Sequence, residues 1–197
     1  AITITATGSK RLLLATAGVE GNSVNNGTLT GVTFNGVAMT QAAVATSSSA
    51  NGTTARAYVY YLKAANLPAP GTYNLVFTVT GPDGGGAYGA IELDNVDQAT
   101  PIEATATANN LTTASISTSI TTQTAGAWVL DVVVSGDQNS QFAPTGGQAE
   151  LHEADPSSSQ VAIGALSVSD PGSTAVGWTI SGGNNRTALA VVAVKPS

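Results

Sequence analysis

The 197-residue chain has no cysteine, a single histidine and a single methionine, and its charged residues are six Lys and Arg against twelve Asp and Glu. Without cysteine there is no disulfide framework and no thiolate metal site, and with His152 alone there is no multi-histidine site. Charged residues make up 9% of the chain, where ordinary soluble domains carry about 25%, so surface polarity has to come from other groups. A net charge of -6 disfavours nucleic-acid binding, because phosphate contacts need Lys and Arg. No uninterrupted apolar run reaches the roughly 18 residues that a transmembrane helix needs, so no membrane insertion is expected. Aromatic residues are only 5% of the chain.

Thr, Ser, Asn and Gln replace the missing charge, and 22 glycines punctuate the chain. Apolar residues recur with a period of two, and no stretch shows a helical period. The expected strands cover 11–19, 29–34, 37–45, 56–63, 72–80, 87–93, 115–121, 127–135, 149–154, 161–169, 175–181 and 187–195. Turn chemistry separates them at Asn35-Gly36, Asn51-Gly52, Pro82-Asp83-Gly84 and Gly182-Gly183-Asn184. Many short strands with such turns predict an all-β protein, a jelly-roll-like antiparallel β-sandwich.

The two halves of the chain echo each other. Gly71-Thr72-Tyr73 enters a strand that leads through a Gly-rich turn to Ala87, and Gly172-Ser173-Thr174 does the same ahead of Thr187. Upstream, Ser47–Ser49 before the strand at 56–63 matches Ser157–Ser159 before the strand at 161–169. This reads as a five-strand unit used twice, over about 11–97 and 126–197. Between the units, 100–124 reads as more strand with only Pro101 as a breaker, so the expectation is one domain over 1–197 with a shared core.

Catalysis needs groups that move protons. In Glu150-Leu151-His152-Glu153-Ala154-Asp155, strand alternation would put Glu150 and His152 on one face. No Gly-x-Ser-x-Gly elbow accompanies this histidine, which favours an ordinary surface His. Asp94, Asn95 and Asp97, or Asp137 and Asn139, could offer oxygens to Ca²⁺. Neither loop has the spacing of a dedicated calcium site, and Asp and Asn are common turn formers. No catalytic, cofactor or metal residue is therefore assigned.

Two features point to surfaces. In 56–63, alternation places Arg56, Tyr58 and Tyr60 on one face, either packed in the core or offered as an interface, since Tyr and Arg favour interfaces. Ile2 and Ile4 lie in a terminal β segment that would join its own sheet or pair with a neighbour's edge. Trp128 and Trp178, in strands, read as core. The start at Ala1 fits either a cleaved signal peptide or a trimmed Met, and Asn-x-Ser/Thr sequons occur at Asn26, Asn51, Asn110 and Asn185.

The motif Glu92-Leu93-Asp94-Asn95-Val96-Asp97 resembles the acidic signature of jelly-roll β-glucanases. That resemblance implies Glu92 as nucleophile, Asp94 as helper and Asp97 as acid. Its last position is Asp rather than Glu, which leaves the acid short of the scissile bond. Arg11-Leu12-Leu13-Leu14, Phe34–Thr40, Gly71–Leu75, Asp97–Ile102 and Ala188–Ala193 together resemble β-sandwich modules of secreted bacterial surface proteins and of phage head-decoration and fibre proteins. The resemblance implies an accessory or structural role outside the cytoplasm; the leading expectation is a non-catalytic structural subunit that builds or decorates an extracellular filament or virion surface, with copies of itself or another structural protein as partners. The alternatives are a carbohydrate-binding or adhesion module taking surface glycans, and a glycoside hydrolase using Glu92 and Asp94.

Overall fold

The computed structural model describes residues 1–81, 83–182 and 186–197, and it is nearly all β. Pro82, Gly183, Asn184 and Asn185, which belong to two of the expected turns and one sequon, lie outside the described residues. In chain order the strands of the first half are β1 (Ile2–Ile4), β2 (Leu12–Gly21), β3 (Thr28–Phe34), β4 (Val37–Ala38), β5 (Thr40–Ser48), β6 (Thr54–Lys63), β7 (Gly71–Tyr73), β8 (Leu75–Thr80) and β9 (Asp83–Leu93). A single 3-10 turn, Ala64–Asn66, follows β6. The second half continues with β10 (Ile102–Asn110), β11 (Ser115–Thr122), β12 (Ala127–Ser135), β13 (Gln141–Pro144), β14 (Ala149–Ala154), β15 (Gln160–Val168), β16 (Gly172–Ser181) and β17 (Thr187–Val194).

All pairings are antiparallel, and they build two sandwiches. The first joins a large sheet, β5-β6-β2-β9, to a small one, β4-β3-β8, with β1 on β7 beside it. The second joins β10-β17-β12-β15-β14 to β11-β16-β13. Each sandwich has its own core, around Leu13, Phe34 and Tyr58 in the first and around Val129, Trp178 and Leu189 in the second. A third core lies between the two large sheets, where Leu14, Ala57 and Val59 meet Leu130, Val132, Val161 and Val192. The result is four layers, small–large–large–small.

This layering explains the sequence of the inner strands. An antiparallel sheet with one wet face reads as alternating apolar and polar residues, whereas a sheet covered on both faces reads as a continuous apolar run. Both β2 (Leu12-Leu13-Leu14-Ala15) and β17 (Ala188-Leu189-Ala190-Val191-Val192) are buried from end to end. The outer sheets keep the alternation. Ser115, Ser117, Ser119 and Thr121 of β11 and Thr30 and Thr78 of the first small sheet face solvent. Gly18 sets the spacing of the middle layers, since a Cβ there would fall 2.6 Å from Val161 Cγ2 and 3.1 Å from Val134 Cβ.

The internal repeat is a repeat of register. Leu12 faces Leu93 and Val19 faces Gly86 across β2 and β9, as Trp128 faces Val194 and Ser135 faces Thr187 across β12 and β17. Gly18 faces Ala57 as Val134 faces Val161. Even the bulge recurs, between Gln41 and Ala43 in β5 and between Glu150 and His152 in β14. Ile4 on Gly71 matches Thr122 on Gly172, so the repeat also takes in β1 and β11, outside the five-strand unit read from the sequence. The halves also differ: β1 has three residues where β11 has eight, and among the described residues β4 has no counterpart in the second small sheet and β10 has none in the first half.

Buried polar groups pin the stack. Arg186 forms an ion pair with Glu20 across the two halves, and its Nη2 also donates to the Gly136 carbonyl at 3.0 Å. Arg11 donates to the carbonyls of Gly8, Ala6 and Pro68, tying the N-terminal segment to the loop after β6.

Candidate functional site

The acidic motif lies at one end of the stack, where β9 runs into the 94–97 loop. Each of its carboxylates has its own backbone partner. Glu92 Oε2 accepts the backbone N–H groups of Thr5 (2.9 Å) and Ala6 (3.2 Å), so it clamps the N-terminal segment. Asp94 accepts the N–H of Asn95, whose φ of 57° makes a tight turn. Asp97 accepts the Thr100 N–H at 2.7 Å and lies 3.5 Å from Lys195 Nζ. The Thr100 hydrogen bond, with a smaller contribution from the Lys195 ammonium, holds the Asp97 carboxyl below its ordinary value.

A cleft of about 140 Å³ opens beside this loop, with Trp128, Asp94, Asn95, Lys195 and Pro196 among its walls. Trp128 is 45% exposed there, which corrects its reading as core. As the second residue of β12 it sits at the end of the stack, whereas Trp178, in the middle of β16, is fully buried. A larger polar cleft of about 350 Å³ shares Lys195 and is walled by Thr100, Glu103, Gln123 and Thr124.

Strand alternation would place Glu150 and His152 together, but the bulge separates them. Glu150 faces Gly164 and His152 faces Ile163, adjacent residues whose side chains point to opposite sides of the sheet. His152 therefore looks toward the first half, where it lines a recess of about 10 Å³ with Thr16, Ala87, Tyr88 and Val161. Glu153 accepts the N–H of Phe142 and the amide of Gln160.

The residues considered for an interface are mostly interior. Ile4, Arg56, Tyr58 and Tyr60 are buried, and Ile2 packs against the first core while pairing with Tyr73 of its own chain. Arg56 donates to the carbonyls of Asn26 and Val24 and to Thr54 Oγ1, a loop clamp rather than a surface cation. Tyr58 Oη accepts the Leu29 N–H, Tyr60 Oη donates to Gln41, and burial raises both phenols. Asp137 accepts the Asn139 N–H within its own turn. Among the described residues no three His, Asp or Glu side chains gather as a metal site, and no helix is long and apolar enough to cross a membrane.

One ionisable group escaped the sequence reading. Asp131 is buried in the middle of β12, where its Oδ1 accepts the Trp178 indole N–H at 2.7 Å and its Oδ2 has no hydrogen-bond partner among the described residues. Gly164 opposite makes room for it, because a Cβ there would lie 2.8 Å from Oδ2 and 2.9 Å from the Trp178 ring. Desolvation pushes the Asp131 carboxyl up to about 7, against the lowering effect of the indole hydrogen bond. The signal was present in Trp128-Val129-Leu130-Asp131-Val132-Val133-Val134, a lone acid inside an apolar run.

The fold and its end cleft define a four-layer antiparallel β stack with neutral outer faces. No family model, curated protein or solved structure matches the chain.

Proposed function

We propose that the chain is a non-catalytic structural subunit that builds or decorates an extracellular filament or virion surface. The observation that carries this reading is the pair of outer sheets, whose solvent-facing positions are uncharged and mostly Ser and Thr, with Val76 and Ala175 among the exceptions, over three apolar cores. Such faces associate through hydrogen bonds and shape, with little dependence on salt. The principal acids of the end loop and of β9 are engaged with backbone N–H groups, which fits a scaffold better than a reacting centre. Electron microscopy of the purified full chain, alone and mixed with candidate particles, tests the reading. Ordered assemblies or decorated particles are expected, and a strictly monomeric, non-binding protein under all conditions overturns it.

A second reading, a glycan-binding module, is favoured by the cleft at Trp128. An exposed indole beside Asp94, Asn95 and Lys195 offers a ring for stacking and polar groups for sugar hydroxyls. A glycan array in which binding is lost on Trp128→Ala supports it. Equal binding by the variant overturns it.

A further inference from the structure

The internal repeat shows what the first sandwich lacks. In the second half, β10 pairs with β17 from Ile102–Val194 to Asn110–Thr187 and closes the side of its large sheet. The equivalent strand of the first half is β9, and among the described residues it is the last strand of its sheet. The consequence appears in burial: β17 is buried throughout, whereas the residues of β9 from Gly84 onward are all partly or fully exposed. Its neighbour across the middle core shows the same effect. Ala43, on β5 next to β10, is buried, while its register equivalent His152 on β14 is exposed.

Open strand edges normally carry charges, prolines or bulges that prevent pairing with another chain. The β14 edge has all but the proline: Glu150, His152, Glu153 and a bulge. From Gly86 to Ile91, β9 reads Gly-Ala-Tyr-Gly-Ala-Ile, with no charge, no proline and no bulge. Beside it the Tyr88 ring stacks on Phe77 of β8 at 4.6 Å, and Tyr88 is 42% exposed. The corresponding second-half residues, Leu189 and Trp178, are fully buried.

We propose that this open side, along β9 from Gly86 to Leu93, receives an extended strand from another polypeptide chain, added antiparallel as β10 is added to β17. The partner is defined by the template. It is a proline-free segment in which small apolar residues alternate with Thr or Asn, as in Ile102–Asn110. In β10, Ala104, Ala106 and Ala108 pack against the second core. In the incoming strand the corresponding small residues fall opposite Glu92, Ala90 and Tyr88. Backbone hydrogen bonds along β9 supply the affinity, and the small inward residues supply the selectivity. The inference deepens the assembly reading by naming the contact surface and the kind of segment that fits it.

The test is titration of the isotope-labelled full chain with a synthetic peptide of the sequence 102–110, followed by NMR and hydrogen exchange. Amide shifts centred on 86–93 are expected, with smaller ones in 2–6, 75–80 and 150–154, and with exchange on the outer edge of β9 slowed at least about tenfold. The same peptide carrying both Thr105→Pro and Ala106→Pro should bind at least about tenfold more weakly, because one of any two consecutive residues donates to the ladder. In the protein, Tyr88→Lys should abolish the shifts, and the proline peptide carries the test if that variant fails to fold. No shift at millimolar peptide, shifts only at other edges, or equal binding of the proline peptide overturns the proposal. A protein that assembles but ignores the peptide sinks this inference and spares the structural-subunit reading. Peptide binding by a protein that never assembles does the reverse.

Discussion

Replacing Asp131 with Asn should stabilise the protein at neutral pH and leave it unchanged in acid. Asn has the shape of the protonated acid and keeps the acceptor for the Trp178 indole, while its Nδ2 takes the place of the partnerless Oδ2. In the unfolded chain the carboxyl titrates near its ordinary 3.8, and in the folded chain near 7. Below about pH 4 both states hold the proton and the acid costs nothing. Between about 4 and 7 the unfolded chain has released its proton and the folded chain has not, so stability falls by about 1.4 kcal/mol per unit. Above about 7 both states are ionised and the loss levels off at about 4 kcal/mol. Asn does not titrate, so the variant should gain that amount at pH 8, on the order of 10 °C in melting temperature for a chain of this size. Urea unfolding of both proteins at closely spaced pH values measures the difference directly. In a Trp128→Phe background, Trp178 fluorescence should report the same proton with a midpoint near 7. A stability difference that stays flat from pH 4 to 8 would refute the buried-acid argument.

The Glu20–Arg186 pair makes a second prediction. Glu20→Gln or Arg186→Met alone should cost about 3–5 kcal/mol in chemical denaturation, because each strands a buried charge, whereas Glu20→Leu with Arg186→Met should recover most of it. Gly18→Ala should cost about 1–3 kcal/mol by overpacking the middle core, and Val161→Ala in the same chain should recover part of that loss. Glu92→Ala should release the 5–6 segment, so limited proteolysis should cut near the N-terminus while the melting temperature moves by only a few degrees.

Strands and turns were legible because period-two patterning and Asn-Gly signals are local. The expected 149–154 strand coincides with β14, and the repeat near 71 and 172 holds to the residue. What escaped was set by the partner across a layer. Nothing local in Arg56-Ala57-Tyr58-Val59-Tyr60 says that both faces of the strand are covered, so core and interface stood as alternatives for side chains that are buried in the fold. The run Leu12-Leu13-Leu14-Ala15 did carry that information, as the unbroken apolar stretch of a doubly covered strand. A one-residue bulge at Leu151, invisible in a two-residue period, turned His152 away from Glu150. Trp128 shows the same limit at a strand end, where exposure depends on where the neighbouring layers stop.

The middle core has a consequence for how the chain can be divided. Its residues come in comparable measure from strands on both sides of the 94–101 connection, and each large sheet depends on the other for one of its two covers. Alone, each half would turn a broad panel of Leu, Val and Ala toward water. Severed at 99–100, between β9 and β10, each piece would carry one whole sandwich and expose the surface that the other covers. Mixing the two pieces should therefore bury both surfaces again, and reassembly would report that they have met.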